Sequence, residues 1–168
     1  THVGDLAGGG MIGLAKIICE LLKKKLGILP KRSRLESGSN STSLLFHNQK
    51  LYALQEIAYP FQLILKKSSK NGLELNGNGQ YETFHHKLTA PFSAHVKTDP
   101  TTGELVFFSV SSETGHIYYA EVSKDGKLKT FKSVAQGNPS MGFLHDCFMT
   151  EHYAICPDLS IRFDIKQA

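Results

Sequence analysis

Past residue 40 the chain is cut into short apolar runs separated by turn-forming residues, and that punctuation narrows the possible folds more than any other feature. "SLLFHNQKLYALQE" (43–56) holds two runs around an HNQK turn, "FQLILKK" is a third, and "GELVFFSV", "GHIYYAEV" and "KLKTFKSV" follow with ETG and KDG between them. "FLHDCFM", "HYAICPD" and "LSIRFDI" complete the series. Runs of this kind at intervals of about ten residues predict short antiparallel strands, as in a sandwich, a barrel or propeller blades. "NGNGQ" has the look of a Gly-rich turn; without a strand-to-helix context or a following Lys-Ser/Thr it is no phosphate-cradling loop.

Two histidine-bearing stretches, "PFSAHVKTDPTTGELVFF" (91–108) and "GFLHDCFMTEHYAI" (142–155), place His95 and His145 50 residues apart. That distance is about one four-stranded blade, which favours a propeller. The expected fold is mostly β: two to three blades of a β-propeller, preceded by an amphipathic helix. Residues 1–36 form the helical segment and linker, and residues 37–168 the partial propeller.

"MIGLAKIICELLKKKLGIL" (11–29) has apolar residues at 11, 14, 15, 18, 22 and 26, one face of a helix, with Gly27 and Pro30 as stop signals. Its longest uncharged run, 6–15, is too short to cross a bilayer. Residues 16–34 carry seven basic side chains against Glu20, a local balance of +6 in a chain whose net charge is +4. Basic character confined to one segment argues against a nucleic-acid partner. Two readings stay open: the helix packs on the body, or it lies in a membrane interface with Lys16, Lys23, Lys24 and Lys25 toward anionic headgroups.

A hydrophobic content of 40% and a charged content of 20% describe a soluble globular chain. The first residue is not Met, no secretory pattern opens the chain, and "IRFDIKQA" still has the texture of a strand, so a piece of a longer protein is expected. Three cysteines (19, 147 and 156) without CxxC spacing argue for a reducing compartment. Cys147 lies two residues from His145; a thiolate ligand is conceivable, but a small buried hydrophobe is the better reading.

Eight histidines are present. His85 and His86, as neighbours in a strand, would point to opposite faces and could not share an ion. His47 and His152 lie at turns and are expected to be exposed. His95 and His145 each enter an apolar stretch, with an acidic residue and a strand following. Equivalent positions on successive blades converge on the propeller axis, so the two could meet at one metal; a purely structural role is the competing reading.

Several stretches, taken in order, resemble one family. "SNSTSLLFHNQKLYALQE", "FSAHVKTDPTTGELVFF" and "LHDCFMTEHYAICPD" are similar to motifs of the carotenoid cleavage dioxygenases. That family also includes the retinal-pigment-epithelium retinoid isomerase and the apocarotenoid oxygenases, and the plant and algal branch is the most similar. Val96 stands where Pro is usual, and Cys147 and His152 also depart from the pattern. The resemblance implies a seven-bladed propeller with non-haem Fe(2+) held by four histidines. His95 takes the place of the first and His145 of the second, with Glu56 as a carboxylate that hydrogen-bonds a ligand histidine. The other two histidines would lie beyond residue 168, so this chain would carry half an iron site and be inactive alone. The implied reaction is cleavage of a C=C bond of a carotenoid or apocarotenoid by O₂ to two carbonyl products, on a membrane surface in plastid or cytoplasm. The rival class is a non-catalytic, truncated propeller acting as a binding module.

Overall fold

The computed structural model describes residues 18–19, 22–23, 25–26, 33–69, 72–111, 114–135 and 144–157. A 3₁₀ turn at Arg34–Glu36 opens the body, capped by Ser33 and Glu36, which each accept from the other's end of the turn. Ten strands follow among the described residues: β1 (Ser43–His47), β2 (Lys50–Leu54), β3 (Phe61–Ser68), β4 (Gly72–Tyr81), β5 (Lys97–Thr98), β6 (Leu105–Val110), β7 (Ile117–Val122), β8 (Leu128–Ala135), β9 (Phe148–Met149) and β10 (Ala154–Ile155). They form two four-stranded antiparallel meanders, β1-β2-β3-β4 and β5-β6-β7-β8, and a β9–β10 pair. Each meander has the up-and-down order of a propeller blade.

Local chemistry explains the hairpins. The β1–β2 loop has two residues, Asn48 and Gln49, both left-handed, at φ 46° and 58°, and the register runs His47↔Lys50, Phe46↔Leu51. Positive φ at both central positions matches the twist of the flanking strands. The β7–β8 turn uses Gly126 at φ 80°, and a Cβ there would meet the Asn48 amide at 2.7 Å. That approach is functional for the fold: Asn48 Nδ2 donates to the Asp125 carbonyl at 2.8 Å, and His47 Nε2–H donates to the Ser123 carbonyl at 2.9 Å. His47 is therefore buried, at 8% exposure, and not exposed as its turn position suggested. The second sheet supplies the acceptor and the cover.

The core lies between the two sheets. Tyr52 and Leu54 of β2 face Leu105 and Phe107 of β6 and Ala120 and Val122 of β7, with Phe84, Leu88 and Phe92 of the β4–β5 connection wedged among them. The rings of Phe92 and Phe107 pack at a tilt of 45° with centroids 4.1 Å apart. The connection begins with an unusual turn in which Phe84, His85 and His86 all have positive φ. Non-glycine residues rarely adopt this conformation, at a cost of roughly 1–2 kcal/mol each. Glu82 holds it by accepting from the Phe84 N–H, while Thr83 Oγ1 accepts from the His86 N–H. Burial, and the Glu82 carboxylate beside it, push the Tyr52 hydroxyl up to about 12. His85 and His86 thus sit in a left-handed turn and not in a strand, and both are exposed.

"NGNGQ" is the second correction. It lies within β4, where Gly79 packs flat against Phe61; a Cβ there would stand 2.5 Å from the Gln62 carbonyl oxygen. Gly79 allows close approach rather than a turn. Of the 11–26 segment, Ile18, Cys19, Leu22, Lys23 and Lys25 are helical, and the Leu26 N–H donates to the Leu22 carbonyl at 2.8 Å. Lys16 and Lys24 lie outside the described residues, as does the whole of "LSIRFDI" (159–165). Among the described residues no helix is long and apolar enough to cross a membrane.

Replacing Phe107, fully buried on β6, by Ala should lower stability by about 3–5 kcal/mol. Equilibrium denaturation measures this, and a loss under about 1 kcal/mol would show that the two sheets do not depend on the Phe92–Phe107 contact.

Candidate metal centre

Three chain segments converge at one end of the inter-sheet core. The first is the turn after β2, which carries Glu56. Asn40, buried and left-handed at φ 47°, braces that turn: its Nδ2 donates to the Ala53 carbonyl at 3.0 Å and the Tyr59 carbonyl at 2.7 Å. Gln55 Oε1 accepts the Asn40 N–H at 3.0 Å in return. One side chain thus bridges the chain on both sides of Glu56.

The second segment, Ser93–Lys97, leads into β5. The His95 N–H donates to Ser93 Oγ at 3.1 Å, and Ser43 Oγ of β1 donates to the Ala94 carbonyl. The third, residues 144–147, precedes β9. Cys147 anchors it: the residue is 2% exposed, and burial pushes its thiol up, so it is a packing group and not a ready thiolate. Cys147 is a free cysteine, as is Cys19 on the exposed helical segment.

These supports bring two imidazoles together, edge to face. His95 Nε2 and His145 Nε2 stand 2.9 Å apart, with ring planes at 68°. Behind His145, Nδ1 meets Glu56 Oε1, and both atoms are shielded from solvent although the His145 side chain as a whole is 45% exposed. The carboxylate keeps the proton on Nδ1, which leaves the Nε2 lone pair aimed toward His95. Donor atoms of Glu56, His95 and His145 all lie within 4.8 Å of one another. Glu56 occupies the Nδ1 edge of the ring, the edge turned away from His95, so its geometry is that of a positioning group behind a ligand.

The donor set fits a first-row divalent ion. Two nitrogens each ~2.1 Å from one ion, at a right angle, are ~3 Å apart, the spacing of this pair. Neutral imidazole is a donor that Fe(II) accepts well, and open coordination positions would be left beside two such ligands. One more link crosses the site: Lys97 Nζ pairs with Asp146 Oδ1 at 2.7 Å. Burial works against the Asp146 carboxylate, but the Lys97 ammonium and the Cys147 N–H outweigh it and hold its pKa below the usual range.

The sequence reading did not single out Asn40, Ser43, Ser93, Lys97 or Asp146. For the last two a signal was available: opposite charges stand two residues after one histidine and one residue after the other.

Residues 10–168 match the sequence model described as Retinal pigment epithelial membrane protein, and the chain belongs to that family. It is 34% identical over 165 residues to the carotenoid 9,10(9',10')-cleavage dioxygenase 1 of Arabidopsis thaliana, covering 98% of this chain and 29% of the relative. Its counterpart from Pisum sativum is 33% identical, covering 98% and 28%. Among solved structures, the lignostilbene dioxygenase of Pseudomonas brassicacearum superposes with a TM-score of 0.62 at 27% identity, covering 88% of this chain and 32% of that one. The chain therefore spans less than a third of the length of these relatives.

Glu56→Gln keeps the shape but lets the amide present either an acceptor or a donor to His145. Metal affinity should fall about 10–100-fold, as for other groups that orient ligand histidines. Titration with Co(II) or Fe(II) measures it, and unchanged affinity would remove the positioning role.

Proposed function

We propose that this chain is part of a non-haem Fe(II) dioxygenase that cleaves a C=C double bond of a carotenoid or apocarotenoid with O₂, giving two carbonyl products. The observation that carries the reading is the His95–His145 pair, Nε2 to Nε2 at 2.9 Å, with Glu56 behind His145. His95 and His145 are two of the metal ligands in this reading. Bound there, Fe(II) would supply the redox centre for O₂ activation.

The chain's own residues would do the rest by orientation. His95 and His145 offer uncharged nitrogen donors, so the ion keeps its positive charge. The Glu56 carboxylate offsets part of that charge through the His145 ring without occupying a coordination position. One C=C and one O₂ contain all the atoms of two C=O groups, so the overall reaction needs no external reductant and no net proton transfer. This accounts for a site made of ligands and positioning groups, with no separate acid–base pair among the described residues around it. Residues 37–168 would form part of the propeller and residues 1–36 the segment that approaches the membrane holding the substrate, in plastid or cytoplasm.

What supports the membrane reading is the exposure of the helical segment's apolar residues: Ile18 at 49%, Leu22 at 53% and Leu26 at 71%. Spaced four apart, they share one helix face. An apolar face turned to solvent beside Lys25 suits a bilayer interface.

In the natural full-length protein, His95→Ala and His145→Ala should each abolish conversion of a carotenoid to aldehyde or ketone products and sharply lower iron content. Product chromatography and metal analysis check both, and retention of turnover by either variant would overturn the assignment.

Charge reversal of Lys23, Lys24 and Lys25 should release the protein from anionic liposomes, since each basic residue near such a surface contributes about 1 kcal/mol. Wild-type binding should weaken as salt rises. Salt-insensitive cosedimentation would instead favour a helix that packs on the body.

A further inference from the structure

The two histidine segments come from chain regions 50 residues apart, yet little besides the imidazoles themselves joins them. Cys147 Sγ lies 3.9 Å from the His95 carbonyl, a weak contact. The one ion pair between the segments, among the described residues, is Lys97–Asp146 at 2.7 Å. Lys97 stands two residues after His95, at the start of β5, where the β5–β6 ladder (Lys97↔Val106, Thr98↔Leu105) fixes its backbone. Asp146 directly follows His145, and its Oδ1 also accepts the Cys147 N–H at 2.7 Å. Both bonds fall on the same oxygen, so the carboxylate is held from its own chain while it holds Lys97.

We infer that Lys97 and Asp146 form a clamp that sets the separation of the His95 and His145 ring nitrogens, making both positioning residues of the metal centre. The inference rests on the reading of the two histidines as ligands. Residues 144–147 precede the two-residue strand that begins at Phe148, so the Lys97–Asp146 pair joins the His95 segment to a stretch outside the ladders, beside the ring contact and the sulfur contact. A half-exposed ion pair contributes little to global stability, with side chains here 31% and 42% exposed. A clamp role therefore separates from a stability role: removing it should loosen the metal site while barely changing the folding midpoint.

The test uses the full-length protein, with Co(II) as the probe metal, and four forms: wild type, Lys97→Met, Asp146→Asn, and the charge-swapped double variant Lys97→Asp/Asp146→Lys. Each single variant should bind Co(II) about 10-fold more weakly or worse, with an altered ligand-field spectrum and a circular dichroism signal like wild type. The swapped pair should recover most of the affinity and the wild-type spectrum. Singles that bind like wild type, or a swap no better than the singles, would overturn the clamp. If wild type itself takes up no metal, the ligand reading fails, and the clamp is judged on the metal-free protein. There the His95 and His145 imidazole ¹⁵N resonances should move in both singles and return in the swap; resonances unmoved in the singles would overturn it.

Discussion

The packing of one four-stranded sheet against the next, through the aromatic wedge of the β4–β5 connection, is the contact on which the rest of this chain depends. Neither meander could be stable alone, because each buries one face only against the other. Phe92 acts in two ways at once: its ring packs at a tilt on Phe107, and its N–H donates to the Ala58 carbonyl at 2.9 Å. That hydrogen bond ties the connection to the turn that carries Glu56. Three residues further on stands His95. The side chains that meet at the candidate metal centre are therefore set by the same few residues that fill the core.

Polar pins complete what apolar burial begins. Hydrophobic contact is non-directional and cannot place a ring nitrogen to within a few tenths of an ångström. Hydrogen bonds can, and they are concentrated on the connecting segments: Asn40 on both sides of Glu56, Ser43 and Ser93 around His95, Asp146 on the Cys147 N–H. At the opposite end of the β1–β2 hairpin, His47 and Asn48 pin the first sheet to the β7–β8 turn. The two sheets are thus fastened at both ends of one hairpin, with the core between.

Much of this was legible in the sequence where residues act locally. Alternation and turn residues located β1, β2, β3, β6, β7 and β8, because strand periodicity and positive-φ turns are nearest-neighbour properties. β4 was missed because Gly77 and Gly79 mimic a turn; the reason for Gly79 is the ring of Phe61 across the ladder, which no local pattern contains. His47 was misplaced for the same kind of cause, its cover coming from residue 123. The shared left-handed turn of His85 and His86 is imposed by Glu82 and Thr83, so its signal was present but not of a familiar type. Spacing alone could suggest that His95 and His145 meet, but it could not choose Glu56 as their neighbour. That came from the resemblance, because a carboxylate 39 residues before one histidine and 89 before the other carries no local mark.

Placing these groups on connections rather than inside strands has a physical logic. Within a strand a side chain can point only to one face of the sheet or the other. A side chain that aims along the sheet edge needs a backbone free of the pleat. His95 and His145 both lie just before a two-residue strand, β5 and β9, and Glu56 just after β2. Such positions inherit rigidity from the ladder one or two residues away without inheriting its side-chain directions. The cost is that they lack ladder hydrogen bonds of their own. Side chains such as Asn40, Ser43 and Ser93 replace them one by one, so the precision of this centre is carried by individual polar residues rather than by the sheets alone.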